Sequence, residues 1–250
     1  EDKLFPINEY WHDRLMENPY AAVRMPFAEA QNKMASDLYG APVDIESFVE
    51  KASLAHAETL RCQIEYQRAH KGMTGGFLMW MYSEPWPSGT WSVIDYYTEP
   101  KQAYYASARA FAPLYFGFYL GADGKTYLFG VRDRAGRARV GYEWGAKTLD
   151  DRTVFVRYGS AELDDFTVIR EPVEEKIDCE NEYLYVRFRE DDEQKTTVYS
   201  PDMWKSAYKS LKSDVTVKTR ADGNRLVVTV SARAFAKSVF LHFTENCGYV

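Results

Sequence analysis

The chain has 250 residues, 46% of them hydrophobic and 27% charged, which is the composition of a globular protein able to bury a core in one large domain or two ordinary ones. Its formal net charge of -6 gives no clustered cations for nucleic acid or an anionic membrane, so neither is expected as a partner. Three cysteines, Cys62, Cys179 and Cys247, have no paired spacing and no His or Cys partner at a zinc-like interval, so they read as free or buried thiols and no metal or other cofactor is expected.

In chain order, Ala22, Val23, Phe27, Ala30 and Met34 recur at helical spacing from Pro19 to about Tyr39, and Gly40 is a natural stop. Asp44 is placed to cap a second, longer helix. Its apolar stripe is Ile45, Phe48, Val49, Ala52, Ala55, Leu60 and Ile64, with basic residues Arg68, His70 and Lys71 before Gly72. Gly75-Gly76 then leads into "FLMWMY", Phe77 to Tyr82, a continuous apolar run that predicts a strand buried on both faces. Pro100 opens a further helix through Ala103, Tyr104, Ala108 and Phe111, and Pro113 closes it. A strand buried on both faces needs partners on both edges, and this half offers no other convincing strand. The expectation is an incomplete α/β domain whose missing strands lie in an upstream part of the same polypeptide or are replaced by self-association.

After Pro113 the period changes to short alternating runs at 114–120, 126–132, 139–144, 153–158, 166–170, 183–189 and 195–199, with Asp123-Gly124 as a turn signal. Strands at this spacing without intervening helices predict a β-sandwich. A second β unit is expected from about Ser213, with Val215–Thr219, the turn "RADGNR", Leu226–Ser231 and Ser238–Phe243. These are too few strands for an independent sandwich, so this unit is expected to be partial. The acidic stretch from Glu171 to Glu193 lacks the ligand spacing and central Gly of a calcium loop and reads as a solvated, edge-protecting segment.

Aromatic residues make up 16% of the chain, and three of its six tryptophans lie in "GGFLMWMYSEPWPSGTWSVIDYY", Gly75 to Tyr97. With Pro100, Lys101, Ala103, Tyr104 and Tyr105 following in register, this run resembles the closing segment of the catalytic barrel in glycoside hydrolase family 2, most closely its β-mannosidase-like branch. The matching residues within it are Gly75, Gly76, Leu78, Trp80, Trp86, Pro87, Trp91, Ser92, Ile94, Asp95, Tyr96 and Tyr97. "YGAPVDIESFVEKASLAHAETLRCQIEYQR" is similar to the long helix before the last barrel strand, and "SARAFAKSVFLHF" to a strand pair of the final domain. The resemblance covers about the first 112 residues and the last 40. Met81, Ser83 and Glu84 depart from the Gln, Asn and Asp common in the family, which leaves fine sugar specificity open.

The resemblance implies a multidomain α+β chain: residues 1–112 as the C-terminal part of a (β/α)8 TIM barrel, 113–205 as an immunoglobulin-like β-sandwich, and 206–250 as a partial C-terminal β domain. A barrel carries its active site at the C-terminal ends of its strands. Trp80, Tyr82, Glu84, Trp86 and His12 are therefore the implied contacts for a β-mannoside or related β-glycoside, with Trp80 as a platform for the sugar's C–H face. Retention requires two carboxyl groups about 5 to 5.5 Å apart. The family's Ser-Glu-Phe-Gly-like nucleophile motif does not occur in the chain, and Asn8-Glu9 lies too close in sequence to Trp80 to be its acid/base pair. No catalytic residue is expected here, and the implied enzyme is a retaining exo-glycosidase whose glutamates lie upstream. A carbohydrate-binding or structural β-sandwich module without hydrolase activity is the alternative.

Overall fold

The computed structural model describes residues 27–85, 91–190, 193–200 and 212–241. The expected helical segment from Pro19 to Tyr39 falls within them only from Phe27, where helix α1 spans Phe27–Tyr39 and buries Ala35 and Leu38. Gly40, at a φ of 80°, ends it with its N–H bonded to the Ser36 carbonyl, the left-handed stop that glycine adopts without strain.

Helix α2, Ile45–Ala69, starts in a reciprocal cap: Asp44 accepts from the Ser47 N–H at 2.7 Å, and the Ser47 hydroxyl accepts from the Asp44 N–H. Phe48, Ala55, Leu60, Ile64 and Ala69 form its buried apolar stripe, while Val49, expected in that stripe, is exposed. A second buried stripe on the same helix is charged. Arg61 bonds both Glu58 and Glu65, Tyr115 donates to Glu65 at 2.5 Å, and Lys237 reaches Glu58 at 3.1 Å. Helix α3, Gln102–Ala110, packs against α2 and runs in the same direction, Ala103 meeting Leu60 and the Ala110 carbonyl meeting Arg68; its buried Ala103, Ala106 and Ala110 are small residues that let the two helices approach closely.

The strand expected at Phe77–Tyr82 does not form. The segment is irregular, with bends at Trp80 and Tyr82, and joins no ladder among the described residues; an isolated bridge between Ser83 and Ile94 and bonds from Val93 and Ile94 to the Met81 and Tyr82 carbonyls tie down its end. Nor is it buried on both faces: Phe77 and Met79 pack on Leu60, Val93 and Ala103, while Leu78, Trp80 and Tyr82 stand exposed. A continuous apolar run does not record which of its side chains a neighbouring element covers, and here α2 and α3 cover only Phe77 and Met79 among the described residues.

From Leu114 the strands among the described residues are all antiparallel. Strands β1 (Leu114–Leu120), β2 (Thr126–Arg132) and β5 (Val168–Pro172) make one sheet in the order β1-β2-β5. Strands β3 (Ala138–Thr148), β4 (Thr153–Leu163), β6 (Glu182–Glu190) and β7 (Glu193–Tyr199) make a second in the order β4-β3-β6-β7. The sheets share one core, with Phe116, Phe118 and Leu128 of the first meeting Trp144, Leu163, Leu184, Val186 and Phe188 of the second. Strands β8 (Thr216–Asp222) and β9 (Arg225–Ser231) form a separate, largely exposed hairpin. No strand forms over 238–241, the described part of the Ser238–Phe243 expectation. That segment follows Phe235, whose N–H bonds the Leu149 carbonyl and whose ring stacks on Tyr183 at 4.2 Å, so packing against the larger sheet takes the place of a ladder.

The helices are fixed to the β sheets by charge as much as by apolar contact. Arg68 bonds the Ala110 carbonyl and pairs with Asp133 at 2.7 Å, Lys71 pairs with the same Asp133, and Arg170 bonds the Ala69 carbonyl at the end of α2. Asp133 is held below the usual carboxylate range: burial opposes its ionisation, but Lys71 and Arg68 outweigh it.

Candidate functional site

The alternation of residues 77–82 decides what the tryptophan-rich segment presents. Trp80 is 79% exposed and Tyr82 59% exposed, and Leu78 is open as well, so two aromatic side chains and an aliphatic one make an exposed row along the segment. Such a row can lie against the C–H face of a ring-shaped, polar ligand, which is an apolar contact that leaves the ligand's hydroxyls free. Tyr96 and Tyr97, also exposed, meet edge to face at 5.3 Å on the loop before α3.

Glu84 lies two residues beyond Tyr82 and differs from both aromatics in being buried. Its Oε1 accepts from the Ser92 hydroxyl at 2.5 Å and from the Lys101 ammonium, which also donates to Ser92 Oγ at 2.9 Å. The Glu84 side chain is 1% exposed and Ser92 is fully buried, so the carboxylate is held between a cation and a hydroxyl, as a buried charge requires. This arrangement orders backbone. Sequence reading placed Glu84 after the aromatic run, but Ser92 and Lys101 entered only as members of the motif; their convergence on Glu84 spans 17 residues and has no local signal. Trp86 and His12, the other implied sugar contacts, lie outside the described residues.

Two other features carry titratable groups. His56 on α2 is held down to about 4, first by burial and then by the Lys101 ammonium nearby, so the ring is neutral at pH 7. The Glu58–Arg61–Lys237 cluster lines a cavity of about 630 Å³ between α2, α3, β7 and residues 237–240. Burial opposes ionisation of Glu58, yet Arg61 and Lys237 prevail and hold its carboxyl at about 2. Neither Trp80, Tyr82 nor Glu84 lines that cavity, so the aromatic row and the charged cavity are distinct surfaces.

No protein-family profile matches the chain. Among curated proteins it is similar to β-mannosidase B of Thermothelomyces thermophilus, 32% identical over 132 residues, which is 48% of this chain and 15% of that protein. It is also similar to the exo-β-D-glucosaminidase of Amycolatopsis orientalis, 35% identical over 81 residues, or 31% of this chain and 8% of that protein. Among solved structures, the β-D-mannosidase of Dictyoglomus thermophilum superposes with a TM-score of 0.73 over 82% of this chain and 26% of its own, at 20% identity, a likeness of fold. The chain thus spans a small part of the length of the proteins it matches. It is β-mannosidase-like in both sequence and fold, in keeping with the resemblance of its tryptophan-rich segment to glycoside hydrolase family 2.

Proposed function

We propose that the chain is part of a retaining, exo-acting glycoside hydrolase that cleaves terminal β-linked sugars, β-mannosides first, by double displacement. The observation that carries this reading is the exposed Trp80–Tyr82 row, with Trp80 at a motif position where the family resemblance calls for sugar contact. In this reading residues 1–112 complete a barrel whose two catalytic glutamates lie elsewhere in the polypeptide, 113–205 form an immunoglobulin-like sandwich, and 206–250 belong to a further β domain. The succession of helices, a two-sheet unit and a separate hairpin supports that division. Trp80 forms the floor under the pyranose, Tyr82 and Trp86 extend it, and His12 stands at its rim. The upstream part of the polypeptide, or a second copy, covers the open side of the row.

Binding energy from the aromatic floor then serves to align the anomeric carbon with carboxylates supplied by the rest of the barrel, where orientation contributes most to the rate. Glu84 is already committed to Lys101 and Ser92 and takes no acid/base part.

The test uses the intact polypeptide and this chain side by side, with nitrophenyl β-mannoside and β-glucosaminide, following the anomer released by NMR. The intact polypeptide should turn over the mannoside with retention, and the 250-residue chain should not. Turnover by the chain alone that disappears in Glu9→Gln or Glu84→Gln would show that the active site is misplaced. Mannan binding by an intact polypeptide without turnover would favour a carbohydrate-binding module.

A further inference from the structure

We propose that Lys101 is the positioning residue of the aromatic row: through Glu84 and Ser92 it fastens the segment 81–84, just beyond Trp80, to the segment 92–95. The proposal rests on the sugar-contact reading of Trp80 and Tyr82, and it adds a residue for which that reading has no role.

The first observation is a broken local rule. Lys101 occupies the N-cap of α3 and makes no side-chain capping bond. Lysine has no acceptor with which to cap, and a cation at a helix N-terminus faces the positive end of the dipole, so local preference argues against lysine there. A residue placed against local preference points to a tertiary task. The Lys101 side chain turns back from the helix to Glu84 and Ser92, and its own N–H bonds the Val93 carbonyl at 2.9 Å, so backbone and side chain both grip the same segment.

The second observation is what the gripped segment holds. Val93 N–H donates to Tyr82 O at 3.2 Å and Ile94 N–H to the same oxygen at 2.9 Å. Among the described residues, 77–82 pair in no sheet, so these bonds and the Glu84 anchor add to their packing on α2 and α3 in placing them. Loss of the Lys101 ammonium takes a cation from a carboxylate whose side chain is 1% exposed, which is costly. The segment must then open to water, and Tyr82 and Trp80 move with it.

The experiment has two arms. In the first, amide hydrogen exchange of the 250-residue chain is followed in peptides covering 77–97. Lys101→Met should accelerate exchange at Val93 and Ile94 at least tenfold while β1 to β7 stay protected, and Lys101→Arg should restore most of the protection. If Lys101→Met does not fold, Glu84→Gln with Lys101→Gln removes both charges together and carries the same expectation. Exchange within twofold of wild type in the folded variant would overturn the clasp.

In the second arm the same variants are placed in the intact polypeptide and assayed on nitrophenyl β-mannoside. Lys101→Met should lower kcat about a hundredfold with a smaller change in KM, as for a misaligned substrate, and Lys101→Arg should recover at least a tenth of wild-type kcat. Normal kinetics alongside lost protection would overturn the link between clasp and site. An intact wild type without glycosidase activity would overturn the sugar-contact reading instead, and the exchange arm would still decide the clasp.

Discussion

Replacing Trp80 by alanine separates a ligand platform from a core residue, and the structure sets the size of the effect. A fully buried Trp removes about 250 Å² from water, and Trp80 is 79% exposed, so roughly 50 Å² is at stake. At about 25 cal/mol per Å² the loss on folding is about 1 kcal/mol, a fall of roughly 2 to 4 °C in Tm for a chain of this size. Trp144, 8% exposed in the core between the sheets, is the internal control. Trp144→Ala should cost about 3 to 5 kcal/mol and lower the midpoint by roughly 6 to 20 °C. Thermal and urea unfolding of the wild-type chain and both variants gives the comparison. In the intact polypeptide Trp80→Ala should lower kcat/KM on nitrophenyl β-mannoside by about ten- to a thousand-fold, equivalent to roughly 1.5 to 4 kcal/mol of transition-state stabilisation. A Trp80→Ala midpoint as low as that of Trp144→Ala would refute the reasoning, because it would mean that the indole is packed and the row closed.

A Cβ at Gly145 would sit 2.1 Å from the Phe155 carbonyl oxygen of the neighbouring strand, so Gly145→Ala should destabilise the larger sheet by about 3 kcal/mol or more, read as a lowered urea midpoint. His56 has its folded pKa depressed to about 4 from 6.5, so the unfolded chain binds the extra proton; this stability is present above pH 6.5 and is lost as pH falls through 4. The loss amounts to about 3 kcal/mol, and His56→Gln should flatten that part of the pH dependence of unfolding while leaving the further loss from Glu58 at lower pH. Cys62, pushed up to about 11 chiefly by burial, should react with iodoacetamide at pH 8 far more slowly in the native chain than in urea, as counted by mass spectrometry of its peptide.

Local sequence determined the elements whose stabilising partners are near in the chain. Asp44 and Ser47 fix where α2 begins, Gly40 fixes where α1 ends, and the alternation after Pro113 yields strands because each of those runs has a neighbour within a short hairpin or one crossover. The motif from Gly75 to Tyr97 also identified the aromatic segment before any geometry was known. Its geometry was a different matter. Phe77–Tyr82 has the composition of a doubly buried strand, but a strand exists only through hydrogen bonds to neighbours, and composition does not record which neighbours are there or which face they cover. The second stripe of α2 has no local signal: Glu58, Arg61 and Glu65 are buried and paired only because Tyr115 and Lys237, from distant parts of the chain, pack onto them. The Glu84–Ser92–Lys101 clasp is the sharpest case, because Lys101 is a poor choice by every local rule at a helix start and becomes intelligible only when folding brings a buried carboxylate to its ammonium. Periodicity and caps follow from interactions between residues a few positions apart, whereas the pairing of buried charges depends on which surfaces meet, and only the tertiary structure decides that.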